Sequence, residues 1–374
     1  MNYLKGLRNQ LLAEITTVPA IVQDSYYTSL DGLRGIAILV VILAHFGVNR
    51  ILRPLHISID GDIGVNIFFV ISGFLITTLL LKEKLKHGNI SLKRFYIRRV
   101  LRILPVAYLF LIVLIILNIL FKLEIQWLDF LASFAFLKNL PIKNEPYTAH
   151  FWSLAVEVQF YLIFPFLLAL NVNRYTVIAL LIVVGVSLIS VLGFYQPSLL
   201  NVSSTVNVFT KVIMYSFWKG PVIILIGSLS SVFLFKGIIK AERIRSGYFL
   251  SSIVLFAAIV ISTRSFEFYS KYVSEILSAI MIAYVILLSL NKENFLSGVL
   301  KNPILVKAGI ISYSLYLWQQ LFIGVNAWQP WMKFFYGYPI GVLVIIKLIM
   351  VLLISFISYY FFESKFLKIK TRYL

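Results

Sequence analysis

Arg34 and His45 stand 11 residues apart in the apolar stretch LDGLRGIAILVVILAHF. At about 100° per residue they differ by only about 20° around a helix, so guanidinium and imidazole share a face across about 16 Å of rise. Asp31 lies about 40° off that face. An ionisable group inside an apolar span is costly and marks a functional position by default. An imidazole can take a proton from a hydroxyl, or carry an acyl group itself. A guanidinium at the far end of the same stripe suits a phosphate. The plainer alternative for His45 is a hydrogen bond to the backbone of a neighbouring helix.

Four further segments add chemistry. The run SLKRFYIRRVLRILP sets Arg99 and Arg102 three residues apart on one helical face with Arg98 beside them. Planar guanidiniums of this kind bind phosphates bidentately, although a single arginine there is equally a membrane anchor. HFWSLAVEVQFYLIFP places Glu157 seven residues after His150, buried by position and in need of a partner. Glu157 is expected at the depth of His45, so that Glu157 or Asp31 orients the imidazole. ISYSLYLWQQ holds Ser312, Tyr313, Tyr316, Trp318 and Gln319, which suit a hydrated or sugar-binding face or ordinary interhelical bonding. SYYFFESKF puts Glu363 level with Arg99 and Arg102, where a salt bridge is expected. In GVNIFFVISGFLIT, the Ser72-Gly73 pair reads as a site of close helix approach rather than of catalysis.

The elements that position these groups are membrane helices. Sixty per cent of the residues are apolar and 13% are charged, about half the charged share of a soluble domain. Mean hydropathy is +0.92. Ten spans are expected, at 33–50, 62–81, 103–121, 150–170, 175–194, 215–235, 248–264, 273–290, 304–325 and 338–362. The stretch 128–137 is too short to cross and reads as re-entrant or interfacial. With the N-terminus inside, 23 of the 34 Lys and Arg fall on the inner side and nine on the outer, which predicts cytoplasmic termini. The fold class is therefore all-α, a polytopic bundle with a lead-in over 1–29, a membrane domain over 30–364 and a basic tail over 365–374.

Composition also excludes. Without cysteine there is no thiolate nucleophile and no disulfide. The histidines at 45, 56, 87 and 150 form no HxxxH or HExxH pair, so no metal is expected. His45 is expected to be the sole imidazole deep within a span, with His150 at the outer boundary. The net charge of +19 is assigned to anionic lipid headgroups rather than to nucleic acid.

Taken in order, LDGLRGIAIL with its R-x10-H spacing, FFVISGFLIT, RRVLRILP, HFWSLAVEVQFYLIFP, ISYSLYLW and YYFFES resemble the membrane acyltransferase-3 family, over about residues 30 to 364. That family comprises O-acyltransferases of bacterial surface glycans. The resemblance implies ten core spans, a cytoplasmic acyl-CoA donor (acetyl-CoA foremost) and a glycan or lipid-linked sugar acceptor at the outer face of the bacterial cytoplasmic membrane. It marks His45 and Arg34 as essential and Arg99, Arg102 and Glu363 as supporting. Many relatives carry a His after the Tyr-x-Trp of the ninth segment, where this chain has Gln319. Some also carry a hydrolase-like domain after the last core spans. Since the sequence ends at 374, a second transfer step is expected to fall to a separate extracytoplasmic acyltransferase. The competing expectation is a glycan or lipid exporter of the same fold, because buried polar groups also line transport paths.

Overall fold

The computed structural model describes residues 6, 9–52, 54, 59–140, 146–195, 220–240, 244, 247–263, 271–290, 294–323 and 337–373. Among them the chain is all α. The helices are α1 (Thr28–His45), α2 (Val48–Leu52), α3 (Gly61–His87), α4 (Leu92–Phe121), α5 (Trp127–Phe134), α6 (Phe151–Leu170), α7 (Val172–Tyr195), α8 (Pro221–Phe235), α9 (Leu250–Ser262), α10 (Lys271–Leu290), α11 (Phe295–Leu300), α12 (Pro303–Ile310), α13 (Ser312–Trp318), α14 (Ile340–Ile357) and α15 (Ser364–Lys370).

Seven of the described helical runs are long and apolar enough to cross a membrane: α1, α3, α4, α6, α7, α10 and the continuous α14–α15. α8 and α9 are apolar but shorter; residues 215–219 and 264 of the expected sixth and seventh spans lie outside the described residues. The ninth expected span, 304–325, is not one straight helix. It divides at Ile311 into α12 and α13 and tightens to a 3-10 turn over Gln319–Phe322. The i→i−4 ladder still passes through the division, with Ile311 N–H to the Lys307 carbonyl at 3.1 Å and Leu315 N–H to the Ile311 carbonyl at 3.0 Å. Pro105 and Pro165 sit inside α4 and α6, a tolerance typical of membrane helices. Leu181, Val184 and Leu188 on α7 are exposed, an apolar stripe at helical spacing that suits lipid.

The short piece after α4 does not span. α5 is eight residues long and is followed by Phe136 in the left-handed region, at φ 53. Asp129 and Lys138, each 2% exposed, form a buried ion pair that ties its two ends.

Two compact units can be distinguished, one of Met1–Leu33, Asn66–Leu92 and Phe160–Val306, the other of Arg34–Val65, Lys93–Gln159 and Lys307–Leu374. In the first, α3 and α8 meet backbone to backbone. A Cβ on Gly73 would stand 1.9 Å from the Ile224 carbonyl oxygen, and one on Gly227 2.2 Å from that of Val70. The expected role of the Ser72-Gly73 pair as a point of close approach is what is found. Hydroxyls then pair across the seam: Thr77 with Ser228 at 2.6 Å and Thr78 with Ser231 at 2.8 Å, while the Tyr175 hydroxyl also bonds Ser228. The lead-in is strapped to the same unit by two lysines. Lys82 donates to the carbonyls of Gln23 and Asp24, and Lys236 to that of Ala13 at 2.7 Å. Burial holds the Lys236 ammonium below its ordinary pKa.

Because overpacking costs about 1–3 kcal/mol, and here the neighbour is backbone that cannot rotate away, Gly73→Ala and Gly227→Ala are each expected to lower the melting temperature of the detergent-purified protein. Gly298→Ala, whose Cβ meets nothing within 4 Å, is expected to leave it unchanged. Thermal unfolding monitored by size-exclusion fluorescence checks this; equal melting of all three would dismiss the close contact.

Candidate functional site

The second unit holds the groups that could do chemistry, at two places along it. The first is built on the end of α1. His45 is its last residue, with the Val41 carbonyl one turn back acting on its ring. α3 begins beside it. A Cβ on Gly61 would lie 3.6 Å from His45 Cε1, and one on Gly64 2.5 Å from the Ala37 carbonyl oxygen. The two glycines therefore let the start of α3 press against the last turns of α1. Asp60 is the residue before α3, and its Oδ1 accepts from the Asp62 N–H at 2.9 Å, an N-cap that ends the preceding loop. Asn49 clamps that loop from α2. Its amide donates to the Ile59 carbonyl at 2.9 Å and accepts from the Ile59 N–H at 2.7 Å. The capped turn sets the carboxylates of Asp60 and Asp62 where both act on the His45 imidazole.

These residues line a cavity of about 490 Å³ together with His150, Tyr316, Gln320 and Trp152. His45 is exposed to it, so it stands at the rim rather than deep in a span as expected. His150, in the turn just before α6, is the buried imidazole, 5% exposed. Its ring is caged edge-on by Phe110 at 5.1 Å, Phe151 at 4.9 Å and Tyr316 at 5.7 Å. The hydroxyls of Ser153 and Tyr316 lie 2.6 Å apart, at 3.0 and 3.2 Å from the His150 carbonyl oxygen. Next to His45 in sequence, Phe46 has the Lys347 ammonium 5.9 Å from its ring centre.

The second place gathers the basic residues. Arg34, Arg98, Arg99 and Arg102 all act electrostatically on Lys370, and Arg102 and Lys370 act on Glu363. Glu363 is 1% exposed because the chain makes a single π-turn over Ser358–Glu363, which rotates the carboxylate inward. There it accepts from Ser314 Oγ at 2.6 Å. Tyr313 donates to the Ile103 carbonyl at 2.8 Å, tying α13 to the arginine-bearing helix. Arg99 lies 5.5 Å from the Phe95 ring centre, and Arg98 donates to the Tyr373 carbonyl at 2.8 Å.

The sequence-predicted residues thus divide. Arg102 acts on Glu363, and Arg34, Arg99 and Arg102 act on Lys370, but the carboxylate is met by the Ser314 hydroxyl rather than by the expected salt bridge; the short helix α13 carries Ser314 at Glu363 and Tyr316 at the cavity. Asp31 is corrected: fourteen residues before His45 on one helix it is about 21 Å away, and it accepts from the Tyr26 hydroxyl at 2.5 Å. It cannot orient the imidazole. Glu157 is not among the cavity residues. Its charge is felt by Tyr316, and the carboxylates acting on His45 are those of Asp60 and Asp62 instead. Ser72 belongs to the first unit. Trp318 is buried 5.6 Å from the Phe110 ring centre, in the core beside the cavity. His150, Asp60, Asn49 and Gln320 were missed; the Asp-Gly-Asp at the head of the second apolar segment was the available signal for Asp60. Among the described residues no group of three His, Cys, Asp or Glu could hold a metal ion.

Comparison with known proteins bears on this arrangement. A family model described as "Acyltransferase domain" matches residues 27–360. A Staphylococcus aureus (strain COL) protein named "Putative O-acetyltransferase" is 32% identical over 323 residues, 78% of this chain and 50% of that protein. The "Peptidoglycan O-acetyltransferase OatA" of Listeria monocytogenes is 38% identical over 181 residues, 44% of this chain and 28% of that protein. The Bacillus subtilis (strain 168) "Putative peptidoglycan O-acetyltransferase YrhL" is 27% identical over 373 residues, 91% of this chain and 54% of that protein. The chain spans about half the length of the S. aureus and B. subtilis relatives. No solved structure matches it. With a family match across nearly the whole chain and seven described helices fit to cross a bilayer, the chain belongs to the acyltransferase-3 family of integral membrane proteins.

Proposed function

We propose that the protein moves an acyl group, acetyl foremost, from acyl-CoA onto a hydroxyl of a cell-surface glycan, with the peptidoglycan of its relatives' names as the leading acceptor class. The observation that carries the proposal is the His45 cavity. Its imidazole opens to the cavity, where burial and the Asp62 and Asp60 carboxylates act on it in opposite senses. A neutral imidazole keeps one nitrogen as an acceptor, and the carboxylates offset part of what burial costs the imidazolium that forms when it takes a proton. That is the arrangement of a general base.

The basic cluster is the donor end. Arg34, Arg98, Arg99 and Arg102 act on Lys370, and Arg102 and Lys370 act on the buried carboxylate of Glu363. A polyphosphate neutralises such a surplus. Arg34 and His45 are 11 residues apart on one helix, a rise of about 16 Å, which an extended pantetheine arm bridges. The cluster lies on the face that the basic-residue asymmetry assigns to the cytoplasm, and the cavity lies at the opposite end of α1. On this proposal the protein sits in the bacterial cytoplasmic membrane with both termini inside. His45 takes the proton of the acceptor hydroxyl, the oxygen attacks the thioester carbon, the C–S bond breaks, and the thiolate leaves with the proton from His45 as CoA-SH.

His45→Gln keeps the size and one hydrogen bond but cannot accept a proton. It is expected to lower acyl transfer about 10²- to 10⁴-fold, measured as CoA released from acetyl-CoA by the purified protein, with acetyl-CoA affinity retained. A wild-type rate in this variant would leave the cavity as a passage rather than a reaction site. Arg99→Ala and Arg102→Ala have the converse expectation. A charge-assisted phosphate bond contributes about 1.5–3 kcal/mol, so each should raise the acetyl-CoA dissociation constant at least about tenfold while the melting temperature holds. Calorimetric titration decides this, and unchanged affinity in both would reduce the cluster to a membrane anchor.

A further inference from the structure

His150 carries an unanswered question of hydrogen bonding. Its side chain is buried, yet neither ring nitrogen has a hydrogen-bond partner among the described residues. An unsatisfied buried polar group costs about 1–3 kcal/mol, so a group kept in that state is expected to meet a ligand. Its surroundings select which kind. Three aromatic rings pack on it at 4.9 to 5.7 Å. An uncharged imidazole carries one N–H donor and one acceptor nitrogen. Its position is fixed independently of any ligand, because the Ser153 and Tyr316 hydroxyls both reach its backbone carbonyl. It lines the same cavity as His45.

We infer that His150 is the oxyanion donor of this site: its ring N–H hydrogen-bonds the thioester carbonyl oxygen of the acyl donor, opposite the His45 base. The inference rests on the acyl-transfer proposal above. As the acceptor oxygen bonds to the carbonyl carbon, the C=O pair moves onto the oxygen, and the negative charge meets the His150 N–H. When the C–S bond breaks, the pair returns to re-form the carbonyl and the thiolate takes the proton held by His45. His150 exchanges no proton in the cycle. A neutral imidazole suits this task because a donor fixed before the reaction needs no reorganisation as charge develops.

The test uses the full chain, purified in detergent, with acetyl-CoA as the donor and water as the acceptor. His150→Phe keeps an aromatic ring and removes both nitrogens. It is expected to lower kcat about 10²- to 10³-fold, the range for one lost oxyanion donor, with acetyl-CoA affinity within about twofold of wild type. His150→Gln restores an N–H and is expected to recover at least about tenfold of that loss. The limb of the pH–rate profile that reports the base stays in place in both variants. A methyl-ketone analogue of acetyl-CoA adds a readout without mutation: in 15N-histidine-labelled wild type, its binding should shift the ring resonances of His150 as well as those of His45. Wild-type kcat in His150→Phe, a glutamine variant no better than phenylalanine, or His150 resonances unmoved by the analogue would each overturn the inference. If His45→Gln is inactive while His150→Phe is not, the oxyanion role alone falls. If wild type releases no CoA from acetyl-CoA, the acyl-transfer proposal itself falls.

Discussion

Inside a bilayer no water answers a polar group, so each must be satisfied by the protein or by what the protein binds. Most of the buried polar side chains follow that constraint locally. Thr77, Thr78, Ser228 and Ser231 pair with one another. Asp129 and Lys138 neutralise each other. Ser230 and Ser133 return to carbonyls one turn back on their own helices. Glu363 is the costliest case, a carboxylate buried among helices, and it takes a hydroxyl from Ser314 and the field of Arg102. The polar groups that remain unsatisfied among the described residues are few, and His150, Trp318 and Gln319 are among them. His150 lines the cavity, and the other two lie at the same end of α13.

Close helix approach is what makes that space possible. Gly61 and Gly64 bring the start of α3 against α1, and without them Asp60 and Asp62 would stand farther from His45. The cap that Asp60 makes on Asp62 and the two bonds from Asn49 to Ile59 then fix the carboxylates before any substrate arrives. Preorganisation of this kind lets a base act without rearranging its surroundings.

Helical geometry was legible in the sequence wherever one helix carried the information. The alignment of Arg34 with His45, the pairing of Arg99 with Arg102 and the close contact at Gly73 all follow from period and rise. What was hidden needed two or more segments at once. Glu157 fits the depth expected of a partner for His45, but depth says nothing about azimuth, and the partners came from the turn before α3. Asp31 failed for a simpler reason, since the rise that separates Arg34 from His45 separates Asp31 still further. Glu363 was placed at the right level from sequence, whereas its burial depends on the π-turn over Ser358–Glu363, which no periodicity announces. The break at Ile311 was equally hidden, because no proline marks it and the i→i−4 ladder runs through it.

Two imidazoles in one cavity raise the question of why they should differ, and the answer lies in their neighbours rather than in the residue type. His45 ends a helix and opens to the cavity, where the Asp62 and Asp60 carboxylates work against the cost of burying its charged form. His150 is packed by three aromatic rings. Had both been paired with carboxylates, two positive rings would face each other across the same space and each would disfavour the other's protonation. Had both been caged, neither could accept a proton at reasonable cost. One ring open to the cavity beside two carboxylates and one caged by aromatic rings avoids both arrangements, and on the proposed function it separates the task of moving a proton from the task of holding a developing negative charge. The pair can be arranged so only because one histidine comes from the end of α1 and the other from the turn preceding α6, two segments whose surroundings the fold sets independently.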